Sequence, residues 1–203
     1  MSLCHPRGTY RPLWNKMLFH ETTFPGLKVI DLQENRDSRG SFARIWCEDE
    51  FDRHGLPSRM VQASLSVTTQ RGSIRGMHYQ GAPSQEGKLV RCLQGAAFDV
   101  VIDLRPDSPT FKQTFALELS ALNRKAVFVP PGFAHGFQTL TDQVELLYMM
   151  TDFYNPGASL GLRWNDSTFA ISWPLPVTTM ADRDRTYPDV DLRDFEGFRG
   201  YIR

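Results

Sequence analysis

Turn-forming clusters recur along this chain about every ten residues, and they limit its fold more than any other feature. Four of them, rich in Pro, Gly, Asp and Asn, lie at 37–40, 105–109, 130–132 and 155–157. The segments between such turns are too short for long helices. Many short strands separated by frequent turns predict an all-β sandwich or barrel.

The segments between the turns also carry the residue patterns of β-strands. In 114–119, Phe115, Leu117 and Leu119 alternate with Ala and Glu, which is typical of a half-buried strand. Helices are predicted only near 48–54 and in the tail. The other predicted strands are 88–93, 97–104, 126–129, 136–140 and 144–151.

These elements predict one all-β domain that spans 1–203, with its core at about 18–175. An N-terminal arm and an irregular tail after Pro174 are expected to pack on that core or on a neighbouring molecule. Hydrophobic residues make up 41% of the 203 positions, which is enough for one sizeable core. Disorder as the main state is therefore excluded.

The charge balance is neutral, with 23 Lys and Arg against 23 Asp and Glu. Nucleic-acid-binding proteins normally carry a basic face, so the balance argues against that class but permits a local basic pocket. The longest apolar stretch, near 95–104, contains Asp99 and is too short to cross a membrane. We expect neither a nucleic acid nor a membrane as partner.

Cysteine usage and the N-terminus predict where the protein works. Cys4, Cys47 and Cys92 form no closely spaced pair, which argues against a thiol-rich metal or redox motif and favours a reducing compartment. The first residues lack the apolar segment of a secretory signal. Both observations favour a cytoplasmic protein.

Side chains of catalytic type are concentrated in three segments of predicted strand and turn, 72–80, 130–137 and 145–154. Strict alternation in a strand would place Arg75 and His78 on opposite faces. Gly76 lies between them, and a glycine inside a strand often marks a bulge. We therefore expect a bulge that turns both side chains toward one pocket.

The polar residues of these segments suit proton transfer. His78 or His135 can remove a proton near neutral pH, and Tyr148 can return one. Lys88 can stabilise a developing oxyanion. Together they resemble the parts of an enzyme that abstracts a proton next to a carbonyl, although each residue alone is more often structural: a satisfied core histidine, a packed tyrosine or an exposed lysine.

A metal site needs a different set of residues. Metal sites in β-barrels commonly use His-x-His, a carboxylate and a later His, and this chain offers His78, Gln80, Glu86 and His135. Gln is a poor ligand for the metals that imidazole suits. The sequence therefore predicts no metal.

Six motifs occur in a characteristic order over about 18–190: RGMHYQ at 75–80, KLVRC at 88–92, DVVIDLR at 99–105, SPTF at 108–111, PPGFAHGF at 130–137 and RWND at 163–166. Together they resemble the dTDP-4-dehydrorhamnose 3,5-epimerase family. The resemblance implies a cupin-type jelly roll, a double-stranded β-helix sandwich with short helices and an irregular C-terminal tail. It also implies a cofactor-free epimerase of a nucleotide-diphospho-4-keto-6-deoxyhexose.

The resemblance assigns four catalytic roles. It implies that His78 removes the proton on a carbon next to the C4 ketone, and that Asp184 pairs with this histidine. Lys88 corresponds to the lysine that holds the enolate oxygen. Tyr148 corresponds to the tyrosine that returns a proton from the opposite face.

The resemblance also assigns the substrate contacts. Arg39 and Arg75 correspond to arginines that grip the pyrophosphate, and planar guanidinium groups suit that task. Tyr154 corresponds to a tyrosine that stacks on the nucleobase, and His135 to a second histidine near the sugar. The remaining expected contacts are Gln62, Ser64 and Arg183.

Four residues depart from the family pattern. Arg44 stands where the family usually has glutamate, Ser64 replaces asparagine, Glu86 replaces glutamine and Ser159 replaces glutamate. Because the catalytic positions are kept, we expect the proton-transfer chemistry to be retained. The identity of the substrate stays open. Three alternatives remain beside the double epimerase: a single-centre epimerase or ketoisomerase, a sugar-nucleotide binder without activity, and a metal-dependent cupin.

The resemblance implies a homodimer. A sandwich of this size leaves edge strands that a second copy can cover. The stretch 11–21, with Trp14, Met17 and Phe19, is the segment that we expect to be exchanged between the two copies.

Overall fold

The computed structural model describes residues 16–191, 195, 197 and 198. Strands dominate this part of the chain. The strands are β1 (Met17–Glu21), β2 (Lys28–Leu32), β3 (Asn35–Asp37), β4 (Gly40–Phe42), β5 (Gln62–Thr68), β6 (Ile74–Gln80), β7 (Lys88–Gln94), β8 (Ala96–Asp103), β9 (Thr114–Ser120), β10 (Ala126–Val129), β11 (Phe133–Thr139), β12 (Val144–Met150) and β13 (Ser159–Gly161). The helices are α1 (Glu48–Arg53), α2 (Asp182–Thr186) and a 3₁₀ turn (Pro156–Ala158).

Two antiparallel sheets form the body of the protein. The six-stranded sheet has the order β1-β2-β10-β7-β12-β5, and the five-stranded sheet has the order β13-β6-β11-β8-β9. β3 and β4 form a separate two-stranded ribbon. The predicted all-β sandwich is therefore confirmed.

The main core lies between the two sheets. Val90 and Leu146 of the six-stranded sheet pack with Val101, Phe133 and Phe137 of the five-stranded sheet, and all five are buried. Alternation along the strands aims these side chains inward. The apolar periodicity thus determines which face of each sheet lines the interior.

Each sheet is covered on its outer face as well. Phe51 of α1 packs with Ile30 and Phe128 on the six-stranded sheet. On the five-stranded sheet, Trp173 just before the tail and Phe198 in the tail pack in a cluster that includes Ile102. These covers explain why β7, β8 and β10 are apolar on both faces.

The predicted strands agree with the structure except at their ends, whereas β2 to β5 and β13 were not predicted. β11 begins at Phe133 rather than at the predicted 136, so His135 lies inside a strand. Trp14 lies outside the described residues. Met17 and Phe19 lie in β1, which pairs with β2 of the same chain, and strand exchange stays a prediction.

The two short helices confirm the predicted positions near 48–54 and in the tail. Across the described ranges, neither helix has the length and apolar character that crossing a bilayer requires.

Candidate active site

A cavity of about 670 Å³ opens between the two sheets, and we call it the main cavity. Its walls come from β5, β6, β7, β11, β12 and the segment that leads into α2. It brings together seven of the residues selected from the sequence: Arg75, His78, Lys88, His135, Tyr148, Arg183 and Asp184.

A smaller adjoining cavity of about 340 Å³ is called the side cavity. It shares four lining residues with the main cavity, so the two are parts of one cleft: His78, Lys88, Tyr148 and Arg183. The other predicted residues in its wall are Gln62, Ser64 and Tyr154. Two of the departures from the family pattern, Glu86 and Ser159, line it as well.

A bulge in β6 turns Arg75 and His78 toward the same cavity. On the neighbouring β11, His135 pairs with His78 and Phe137 pairs with Arg75, so β6 contains one residue more than its partner. Gly76 lies inside the bulge with φ +125°, and a Cβ there would approach the Gly136 Cα to 2.5 Å. The bulge predicted from the sequence is confirmed, and it requires glycine.

His78 forms a hydrogen-bonded pair with Asp184, which reaches it from α2. His78 Nε2 lies 2.7 Å from Asp184 Oδ1, and the Gly76 amide donates to Oδ2 at 3.1 Å. Burial raises the pKa of the Asp184 carboxyl, but the hydrogen bonds from His78 and Gly76 and the charges of His78 and Arg183 outweigh it. The pKa therefore lies below its ordinary value, and Asp184 is a carboxylate at neutral pH.

A second histidine–aspartate pair lies beside the first. His135 Nε2 is 2.8 Å from Asp99 Oδ2, and both side chains are buried. The Asp99 Oδ1 atom is buried without a hydrogen-bond partner. Asp99 was not among the site residues expected from the sequence. The signal that could have identified it is its place in an apolar strand, because a buried carboxylate needs a partner.

Tyr148 comes from β12, on the sheet opposite His78. Its ring meets the His135 ring edge-on, with 5.7 Å between the centroids. Burial and the negative charge of Asp99 raise the pKa of the Tyr148 hydroxyl well above its ordinary value, although Arg75 lowers it. Tyr148 is therefore protonated at neutral pH and can serve as a proton donor.

Lys88 begins β7 at the junction of the two cavities. Its ammonium group forms an ion pair with Glu86, and both side chains are largely buried. The other oxygen of Glu86 accepts a hydrogen bond from Gln80 Nε2 at 2.9 Å.

Arg75 is held beside the cleft by the edge strand of the six-stranded sheet. Its Nε donates to Thr68 Oγ1 at 2.9 Å and its Nη2 donates to the Val67 carbonyl at 3.1 Å. These contacts leave part of the guanidinium group free to meet an anion. Arg183 places a second guanidinium group in the wall of the main cavity, and it lines the side cavity as well.

Tyr154 lies at the outer edge of the side cavity, with 53% of its surface exposed. Its backbone amide donates to Gln62 Oε1 at 3.2 Å, which ties the loop to β5. An exposed ring at the mouth of a cleft is suited to stacking on a planar ligand.

Two residues selected from the sequence lie elsewhere in the chain. Arg39 sits on the β3–β4 ribbon, where its exposed side chain pairs with Asp37 at 2.6 Å, and it lines neither cavity. Arg44, the fourth departure, pairs with Glu50 at 2.6 Å, also outside both cavities.

Within residues 16–191, 195, 197 and 198, no three His, Cys, Asp or Glu side chains are grouped so that they could hold a metal ion. His78 and His135 each have an aspartate partner instead.

The chain matches the family model described as dTDP-4-dehydrorhamnose 3,5-epimerase over residues 21–191. It belongs to this family. A relative of the same description from Sinorhizobium fredii is 36% identical over 177 residues, which are 87% of this chain and 91% of the relative. The protein is therefore an epimerase of the nucleotide-sugar type, in agreement with the motifs.

Two further comparisons bear on fold and specificity. The solved dTDP-6-deoxy-D-glucose-3,5-epimerase of Legionella pneumophila, in complex with dTDP-4-keto-L-rhamnose, superposes with a TM-score of 0.84. It is 34% identical and the match covers 93% of this chain and all of that one, which confirms the cupin-type jelly roll for the epimerase. A dTDP-4-dehydrorhamnose 3-epimerase of Streptomyces niveus is 36% identical over 161 residues, 79% of this chain and 77% of that protein.

Proposed function

We propose that this epimerase inverts carbon centres next to the C4 ketone of a dTDP-linked 4-keto-6-deoxyhexose without a cofactor. One observation carries the proposal: His78 and Tyr148 project from opposite sheets into one cleft. Lys88 lines the same cleft, on the sheet that carries Tyr148. A base and an acid on opposite sides of a bound sugar are what inversion requires.

The first step is removal of the proton α to the ketone. His78 Nε2 is bonded to Asp184, so Nδ1 is the nitrogen that is free to accept the proton. The carbon–hydrogen electrons form the enolate double bond, and the ketone electrons move to oxygen. Lys88 stabilises that negative charge, and Asp184 stabilises the imidazolium ion.

The second step returns a proton to the opposite face of the same carbon. Tyr148 is protonated at neutral pH, and it donates that proton as the enolate collapses to the ketone. The carbon is thereby inverted. Solvent then exchanges protons with His78 and Tyr148 and restores both groups.

The substrate contacts follow from the charges of the cleft. Arg75 and Arg183 are the cations that would meet the diphosphate, and Tyr154 offers its ring to the base. Arg39 lies outside the cleft of its own chain, so we propose a homodimer in which the β3–β4 ribbon reaches the cleft of the partner. This arrangement reconciles the family role of Arg39 with its position.

A single-centre epimerase is the second candidate, and the side cavity favours it. Three departures from the family pattern line that cavity, namely Ser64, Glu86 and Ser159. A relative described as a 3-epimerase has the same 36% identity as the Sinorhizobium relative, over 161 rather than 177 residues. Altered contacts beside the sugar can restrict inversion to one carbon.

Proton exchange followed by NMR tests both candidates. The protein is incubated in D₂O with freshly prepared dTDP-4-keto-6-deoxyglucose, and deuterium is followed at C3 and at C5 separately. Exchange at both carbons supports the double epimerase, and exchange at C3 alone supports the single-centre enzyme. Binding without exchange at either carbon would contradict both candidates.

A further inference from the structure

Glu86 lines the side cavity next to Lys88, and both of its carboxylate oxygens are engaged. One oxygen accepts from the Lys88 ammonium group, and the other accepts from Gln80 Nε2 at 2.9 Å. Only 6% of the Glu86 side chain and 16% of the Lys88 side chain are exposed. The ion pair is therefore screened from bulk water, and its geometry is tightly held.

Gln80 extends this contact to the loop at the mouth of the cleft. Its Oε1 accepts from the backbone amide of Asn155 at 2.9 Å. Asn155 directly follows Tyr154, the ring proposed to meet the nucleobase. A continuous chain of hydrogen bonds thus runs from this loop through Gln80 and Glu86 to Lys88.

In this chain the direction of these bonds favours a carboxylate at position 86, where the family usually has glutamine. Gln80 turns its oxygen toward Asn155, so its amide nitrogen faces residue 86 and donates to it. Lys88 also donates to residue 86. A glutamine there would offer one oxygen and one NH₂ group to two donors, and one contact would be lost.

We propose that Glu86 is a positioning residue that holds the Lys88 ammonium group against the enolate oxygen and couples it to the Tyr154 loop. The inference rests on the proposed function, because it assigns Glu86 a role only through Lys88. An ammonium group has three donors, so the contact with Glu86 leaves others for the ketone oxygen. A fixed donor stabilises developing charge better than one that must reorganise.

A double-mutant cycle between residues 86 and 88 tests the proposal. The variants are Glu86→Gln, Lys88→Ala and the double variant, with Glu118→Gln on the exposed face of β9 as the matched control. Deuterium uptake into dTDP-4-keto-6-deoxyglucose is measured over hours, together with kcat, KM and Tm. Long incubation keeps the slow exchange of the Lys88→Ala variant measurable.

We expect Glu86→Gln to lower kcat about 10- to 100-fold, since a small misplacement of a catalytic group has effects of that size. KM should change by less than about threefold, because Glu86 makes no direct contact with the nucleotide in this scheme. In the Lys88→Ala background the same substitution should have almost no effect on exchange. The control variant should match the wild type.

Two outcomes would overturn the proposal. One is an unchanged kcat in Glu86→Gln, and the other is an equal loss in the presence and in the absence of Lys88, which would indicate a structural role. Should Glu86→Gln fail to fold, Gln80→Ala replaces it in the cycle, because that substitution breaks the same series of hydrogen bonds on the other side of Glu86. If Lys88→Ala itself exchanges at the wild-type rate, the proposed function fails rather than this inference alone.

Discussion

His78 and His135 lie directly opposite each other on β6 and β11, and each is bonded to its own aspartate. Their environments differ: 35% of the His78 side chain is exposed, against 5% for His135. His78 is thus the histidine that a substrate can reach fully. His135 is held deeper, against the ring of Tyr148.

The different exposure of the two histidines predicts different losses on substitution. We expect His78→Ala to lower α-proton exchange about 10²- to 10⁴-fold, since a general base contributes that much. His135→Ala should retain exchange at a reduced rate, because the base is still present. NMR in D₂O measures both, and equal losses in the two variants would contradict the assignment of His78 as the base.

Tyr148→Phe should separate deprotonation from inversion. The ring and its packing are kept, but the donated proton is lost, so we expect inverted product to fall about 100-fold or more. His78 can still remove a proton and return deuterium to the same face. Deuterium should therefore enter the unchanged sugar, and loss of exchange in parallel with loss of product would rule out Tyr148 as the returning acid.

Acid should destabilise the protein through buried carboxylates. Burial raises the pKa of Asp103, but hydrogen bonds from Arg105, Ser108 and Thr110 outweigh it, so the pKa lies below its ordinary value of 3.8. A carboxyl with a lowered folded pKa contributes stability above the unfolded pKa. That contribution is lost as the pH falls through the lower, folded value.

Asp103→Asn provides the corresponding measurement. Asp103 is fully buried and bonded to Arg105 at 2.7 Å. Its neutralisation should lower the free energy of unfolding at neutral pH by about 3–5 kcal/mol. Urea unfolding should also depend less on pH below about 4 than in the wild type. An unchanged acid dependence would contradict the role of Asp103, and the exposed variant Glu118→Gln is the control.

The position of Arg39 predicts that two defective subunits can complement each other. Arg39→Ala and His78→Ala should each be poorly active, and light scattering should show dimers. After unfolding and joint refolding, mixed dimers contain one intact cleft, so about a quarter of wild-type activity should return. The proposed contribution of Arg39 to the partner's cleft would be contradicted if the refolded mixture were no more active than the average of the two variants. A monomer by light scattering would contradict it as well.

Several features could be predicted from local patterns in the sequence. Alternating apolar residues and frequent turns identified the all-β sandwich, because the side-chain period of a strand is a local property. Gly76 between Arg75 and His78 was enough to predict the bulge. The family resemblance also selected seven of the residues that line the main cavity.

Other features depend on contacts between distant segments. Asp99 was missed because its partner, His135, lies on a neighbouring strand 36 positions away. The separation of Arg39 from the cleft follows from where the ribbon of β3 and β4 lies. The role proposed for Glu86 follows from the direction of the Gln80 amide, which no spacing in the sequence expresses.

The class of fold, the family and the chemical groups available for proton transfer can all be read from the amino-acid sequence. How those groups are combined depends on the folded chain: His78 meets Asp184 across 106 positions of chain, and Tyr148 faces them from the other sheet. The physical reason is that periodicity and turns act over a few residues, whereas a catalytic pair depends on sheet packing. That packing brings distant side chains within hydrogen-bond distance.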